Sequence, residues 1–102
     1  MLIRIVKMTF VPEKLAEFKA FFDQYKSQIN QFPGCHGVQL LSFNNQSNIL
    51  FTYSRWDNES SLTNYKNSEL FAFIWPQTKK FFLEKPEAWS CSQLYDGFAH
   101  EK

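Results

Sequence analysis

Polar and apolar positions along this chain change rhythm several times, and each change predicts an element. In "LIRIVKMTF" (Leu2–Phe10), Leu2, Val6, Met8 and Phe10 share one face, while Ile3 and Ile5 make part of the other face apolar. That period of two is the pattern of a strand. "PEKLAEFKAFFDQYKSQINQF" then shifts to steps of three and four, with Leu15, Phe18, Phe22, Tyr25, Ile29 and Phe32 forming one helical stripe. Pro12 suits the first helical position and Pro33-Gly34 stops the element. "CHGVQLLSF" and "NILFTYSRW" return to alternation and are joined by the polar turn "NNQS", a hairpin signal. Asp57 or Asn58 can cap a short helix, "ESSLTNYK", and Ser68 a second one from Glu69 onward. Pro76 lies deep in that second helix, where it removes a hydrogen bond and clashes with the preceding turn. The cost is about 3 kcal/mol unless the helix kinks or restarts, so one of the two is expected. "AWSCSQLYDGF" (Ala88–Phe98) reads as the last strand.

The order β-α-β-β-α-β is the ferredoxin-like, split-βαβ arrangement of the α+β class, with both helices on one face of a four-stranded antiparallel sheet. All of residues 1–102 reads as a single domain. Alternation also describes the sheet's second face: Ile49, Phe51 and Tyr53 lie opposite Leu50, and Trp89, Cys91 and Tyr95 opposite Leu94. Four strands of about five residues make a face of about 300 Å². Covering it is worth on the order of 8 kcal/mol before any cost of association. A symmetric homodimer with the two sheets face to face is the expected solution; the alternative is that helical aromatics curl round to cover the face.

Composition sharpens this picture in one respect. Aromatic residues make up 19% of the chain, with 12 Phe among 102 residues, more ring surface than one small core needs. Charge changes little: the net is +1 with no basic block, so the counterion-displacing surface that nucleic-acid binding requires is not visible. No apolar run approaches the ~18 residues of a membrane span, and the N-terminus interrupts its apolar stretch with charges, unlike a signal peptide. Cys35 and Cys91 are expected as free thiols in a reducing cytoplasm.

Three stretches bear a family resemblance that covers nearly the whole chain. "FPGCHGVQLL" resembles the turn into strand two of the antibiotic biosynthesis monooxygenase superfamily. "FTYSRWDNESSLTNYKNSELFAF" resembles its strand-three signature, and "KPEAWSCSQLY" its final strand. The resemblance implies a dimeric α/β barrel with one pocket per protomer between sheet and helices. Members include cofactor-free oxygenases of polycyclic phenols and quinols, haem-degrading enzymes and small-molecule isomerases. The haem-degrading pattern of Asn, Trp and His falls on Val6, Tyr65 and Trp75, so it is absent, and an indole does not ligate haem iron as an imidazole does. Quinol-oxidising members carry a His where Tyr65 falls, and some carry one where His36 sits; here one of the two is matched.

Cofactor-free oxygenation needs an acidic phenol or enol deprotonated, water excluded and developing charge met by a fixed donor. His36, the only histidine outside the C-terminal tail, is the candidate base; it also reads as a half-exposed residue at the start of a strand. Tyr65 is the candidate donor, with an ordinary phenol pKa near 10 that makes it a poor base; it also reads as a ring packed on the sheet. Trp56, Phe71, Trp75 and Phe82 are the candidate aromatic walls for a small aromatic substrate. Phe71, Trp75, Thr78 and Phe82 share one helical face, and Leu70, Ile74 and Phe81 an adjacent one. Most of these rings read as core, with a pocket beneath. Arg4 and Arg55, the two arginines, each either clamp an anionic group or sit solvated at a strand edge. Neither a metal-ligand spacing nor a phosphate-binding loop is seen, so no metal or cofactor is expected. The leading expectation is a cofactor-independent monooxygenase of a quinol-like or enolisable aromatic. A non-catalytic domain that binds an aromatic metabolite, and an isomerase, remain open beside it.

Overall fold

The computed structural model describes residues 1–44 and 47–98. The alternating segments become β1 (Leu2–Thr9), β2 (Cys35–Ser42), β3 (Ile49–Trp56) and β4 (Glu87–Ser92). They form one antiparallel sheet in the order β2-β3-β1-β4. A 3-10 turn at Pro12–Lys14 leads into α1 (Leu15–Asn30), and the chain between β3 and β4 carries α2 (Glu59–Lys66) and α3 (Glu69–Lys79). This is the expected α+β, ferredoxin-like arrangement.

Both predicted caps form. The Asn58 side chain accepts from the Ser61 N–H at 3.0 Å, and Ser68 Oγ accepts from the Phe71 N–H at 3.1 Å, so each helix start has a donor satisfied that would otherwise lack a partner. One expectation is narrowed and another needs correction. Of the two outcomes expected at Pro76, the restart does not occur: α3 runs unbroken from Glu69 to Lys79. Proline removes only the bond to the carbonyl four residues back, and the helix resumes its bonding after it. The last strand ends at Ser92, so Leu94 and Tyr95 lie beyond it. The "NNQS" turn lies partly outside the described residues.

Register fixes which side chains share a face. Arg4 pairs with Ser54 and Ser90, and Val6 with Thr52 and Ala88, so these point to the helices together with Leu2, Met8, Leu50 and Trp56. The buried residues divide into two clusters. Met8, Phe10, Phe18 and Leu50 form one, and Ile29, Trp56, Leu62, Tyr65 and Ile74 the other. The predicted α1 stripe supplies Phe18 and Ile29 fully buried and Leu15, Phe22 and Tyr25 in part. Phe21, outside that stripe, packs with Tyr25, Phe73 and Phe81.

The turn between α1 and β2 depends on glycine. Gly34 has φ +85°, and a Cβ there would come within 2.4 Å of Ser61 Oγ and 2.6 Å of Ser61 Cβ. Any side chain would therefore push α2 away as well as strain the backbone. The Gly34 carbonyl accepts from the Asp57 N–H at 2.9 Å, tying this turn to the end of β3.

Candidate functional site

A cavity of about 330 Å³ lies between the sheet and the helices, at the small end of ligand-sized pockets. Val6, Met8, Thr52, Ser54 and Trp56 form its floor, and α2 and α3 roof it with Leu62, Tyr65, Phe71, Ile74, Trp75 and Thr78. Pro86, Ala88 and the exposed Lys66 also border it. β4 is exposed along its length, so the cavity meets an exposed edge of the sheet at Ala88.

Its walls are aromatic. The Trp56 and Tyr65 rings are 5.0 Å apart, Tyr65 meets Phe71 at 5.2 Å, and Phe71 stacks on Trp75 at 5.7 Å with 14° between planes. Each ring packs against the next, with Trp56 and Tyr65 buried and Phe71 and Trp75 half-buried. The Trp56 Nε1–H is already used, donating to Ser54 Oγ at 2.9 Å.

Tyr65 and Arg4 are two of the polar side chains that border the cavity. Burial, reinforced by the nearby Cys35, pushes the Tyr65 phenol up to about 12, because a phenolate would lose its hydration there. The hydroxyl is thus held protonated, and it has no hydrogen-bond partner among the described residues while the residue borders the cavity. Arg4 Nη1 donates to Ser90 Oγ at 3.0 Å; among the described residues no carboxylate pairs with it.

Of the residues singled out in the sequence, Tyr65, Trp56, Phe71, Trp75 and Arg4 come together around this cavity. Phe82 is not part of its lining; it sits behind Trp75, with ring centres 5.7 Å apart, and packs on Phe10 at 5.3 Å. His36 is not part of the lining either. Strict alternation running back from Val38 would turn His36 inward. Instead Cys35 pairs with Trp56 and Gly37 with Arg55, leaving His36 as the extra residue of a bulge. Such a bulge redirects a side chain, and Gly37 permits it with φ +133°. Cys35 takes the inward place, where burial raises its thiol pKa. His36, half-exposed, hydrogen-bonds the Asp57 carboxylate and borders a separate shallow groove with Tyr53, Arg55 and Phe98.

Sequence reasoning overlooked Lys66 at this cavity and the inward turn of Cys35 against the core beside it. The glycine two residues after Cys35 was the available signal for the bulge. Lys66 follows Tyr65 directly, but its charge reads as an ordinary helix C-terminus.

The two arginines, alike in sequence, differ in setting. Arg55 lies on the opposite face of the sheet, where the Asp96 carboxylate sits 3.6 Å away and the rings of Tyr53 and Phe98 lie 5.9 and 5.5 Å from its guanidinium carbon. Among the described residues, no group of three or more His, Cys, Asp or Glu gathers as a metal site, and no helix is long and apolar enough to cross a membrane.

Solved structures share this architecture. A conserved protein from Methanosarcina mazei Go1 is 24% identical, with 89% of this chain and 91% of that one covered and a TM-score of 0.82. Rv0793 from Mycobacterium tuberculosis is 14% identical over 93% of this chain and 96% of its own, with a TM-score of 0.84. An antibiotic biosynthesis monooxygenase is 15% identical, covers 93% and 100%, and also gives 0.84. No curated protein matches. The family model described as antibiotic biosynthesis monooxygenase matches residues 1–74, a span that runs from β1 into α3 and ends before the cavity-lining Trp75 and Thr78. The chain belongs to the antibiotic biosynthesis monooxygenase family.

Proposed function

We propose that this chain is a cofactor-independent monooxygenase that oxidises a small quinol-like or enolisable aromatic with O₂. The observation that carries the reading is the Tyr65 hydroxyl: a phenol kept protonated, free to donate, and set in an aromatic-walled cavity. A flat ring matches walls formed by Trp56, Phe71 and Trp75. For an anthrone-type substrate, a CH₂ beside the conjugated system loses both hydrogens. One atom of O₂ becomes the new carbonyl oxygen and the other leaves with those hydrogens as water. The four electrons lost by the substrate are the four gained by O₂.

Tyr65 serves as donor and not as base, hydrogen-bonding the substrate oxygen as enolate charge develops on it. Among the described residues, neither an imidazole nor a carboxylate borders the cavity. Ionisation is therefore favoured by stabilising the anion, with the proton leaving to water at the exposed β4 edge. His36 is given no role in this scheme, because the bulge turns it away.

The working unit in this proposal is a homodimer. The sheet face away from the helices carries Leu41, Phe43 and Trp89 exposed, together with Leu94 and Phe98 from the segment after β4, and a second copy is the self-complementary cover for such a face. Sedimentation of wild-type protein is expected to give twice the chain mass of 12.1 kDa, and Trp89→Lys to give the monomer; a monomeric wild type contradicts the arrangement. Free thiols at Cys35 and Cys91 fit a reducing, cytoplasmic setting.

Oxygen uptake tests the activity. Purified protein with anthrones, naphthols and hydroquinones is expected to consume O₂ above the rate with heat-denatured protein. If the same compounds bind without uptake, the reading falls in favour of a binding domain; a rearranged product without uptake favours an isomerase.

A further inference from the structure

The cavity is apolar and aromatic, yet its chemistry is not neutral. Two cations border it, Arg4 from β1 and Lys66 from the last turn of α2, and among the described residues none of its lining is acidic. Arg55 provides the contrast within the same chain: it lies on the other face and has the Asp96 carboxylate beside it. Among the described residues Arg4 has the Ser90 hydroxyl, a neutral acceptor that engages one of the five N–H donors of a guanidinium. Lys66 likewise has no ion pair among the described residues.

A positive group set against apolar walls, with its remaining donors unpaired by protein, favours an anion that completes it. Arg4 stands on the floor of the cavity, fixed by strand pairing to Ser54 on one side and Ser90 on the other. Its Nη1 is held by Ser90 Oγ, and a guanidinium fork suits a planar, bidentate acceptor. Lys66, exposed at the border, adds positive potential along the approach.

We infer that the ligand of this cavity is an aromatic acid: a flat ring system bearing a carboxylate or similar fixed anion, with the ring between Trp56, Phe71 and Trp75 and the anion on Arg4. This rests on the preceding reading only in taking the cavity as the ligand site, and it does not depend on oxygen chemistry.

The test compares 2-naphthoate with its neutral isostere 2-naphthamide, binding each to full-length protein under anaerobic conditions. Quenching of the cavity tryptophans Trp56 and Trp75 reports occupancy. Wild-type protein is expected to bind the naphthoate about 10- to 100-fold tighter, the range for hydrogen bonds to a charged group. Arg4→Gln abolishes the preference, lowering naphthoate affinity far more than naphthamide affinity, and Lys66→Gln reduces the salt dependence of naphthoate association. Equal affinities in wild-type protein, binding of neither probe, or a preference that survives Arg4→Gln overturns the inference. If Arg4→Gln does not fold, the wild-type comparison alone decides. Absence of oxygen uptake with an intact naphthoate preference refutes the monooxygenase reading and leaves this one standing.

Discussion

Tyr65→Phe is expected to lower turnover about 100- to 1,000-fold, the range for losing one donor to a developing oxyanion, while changing substrate affinity little. Phenylalanine keeps the ring and its contacts with Phe32, Trp56 and Phe71. Only the hydroxyl goes, and among the described residues no group loses a bond with it. Its hydrogen bond strengthens as charge builds on the substrate oxygen, so the loss falls on kcat and not on KM. Steady-state oxygen uptake on the best substrate of the panel measures both. Unchanged kcat in a folded Tyr65→Phe protein removes Tyr65 from the mechanism. The same phenol gives an alkaline signature. It ionises near 10 when unfolded and near 12 in the fold, so the folded state binds more protons in that interval and stability declines as pH rises through it. Tyr65→Phe removes that component of the decline.

The largest effect on stability is expected at Phe10→Ala, a loss of about 3–5 kcal/mol. Phe10 is fully buried, stacks on Phe18 at 4.4 Å and meets Phe82 edge-on at 5.3 Å. Its backbone also ties the end of β1 to Asn48 and to the segment after α3, which limits how far neighbouring groups can collapse into the space. For a domain of this size the loss lowers the melting temperature by on the order of 15 °C or more. Thermal denaturation followed by circular dichroism reads the shift, and a change of only a degree or two contradicts the packing described. Because Phe82 in turn supports Trp75, the cavity wall is expected to loosen with the core.

How much was legible in the sequence follows from how local each feature is. The helix caps at Asn58 and Ser68, the α1 stripe and the β-α-β-β-α-β order depend on residues a few positions apart, and all appear in the fold. The cavity-facing side of α3 was legible for the same reason, since Phe71, Trp75 and Thr78 follow helical spacing. His36 was not, because one extra residue before Gly37 inverts the alternation behind it, and period-two reasoning cannot see an insertion. Phe82 lies just past the end of α3, so extending the helical face to it placed it on the cavity and not behind it. The difference between Arg4 and Arg55 depends on Asp96, more than 40 residues from Arg55 in the chain, and only tertiary structure brings that carboxylate to one arginine and not the other.

The central claim, insertion of one oxygen atom from O₂ at the aromatic cavity, is tested most directly by product mass under ¹⁸O₂. Wild-type protein turning over an anthrone is expected to yield a quinone carrying one heavy oxygen atom, with the other recovered in water. A product without label, or peroxide formed in step with substrate loss, contradicts the account.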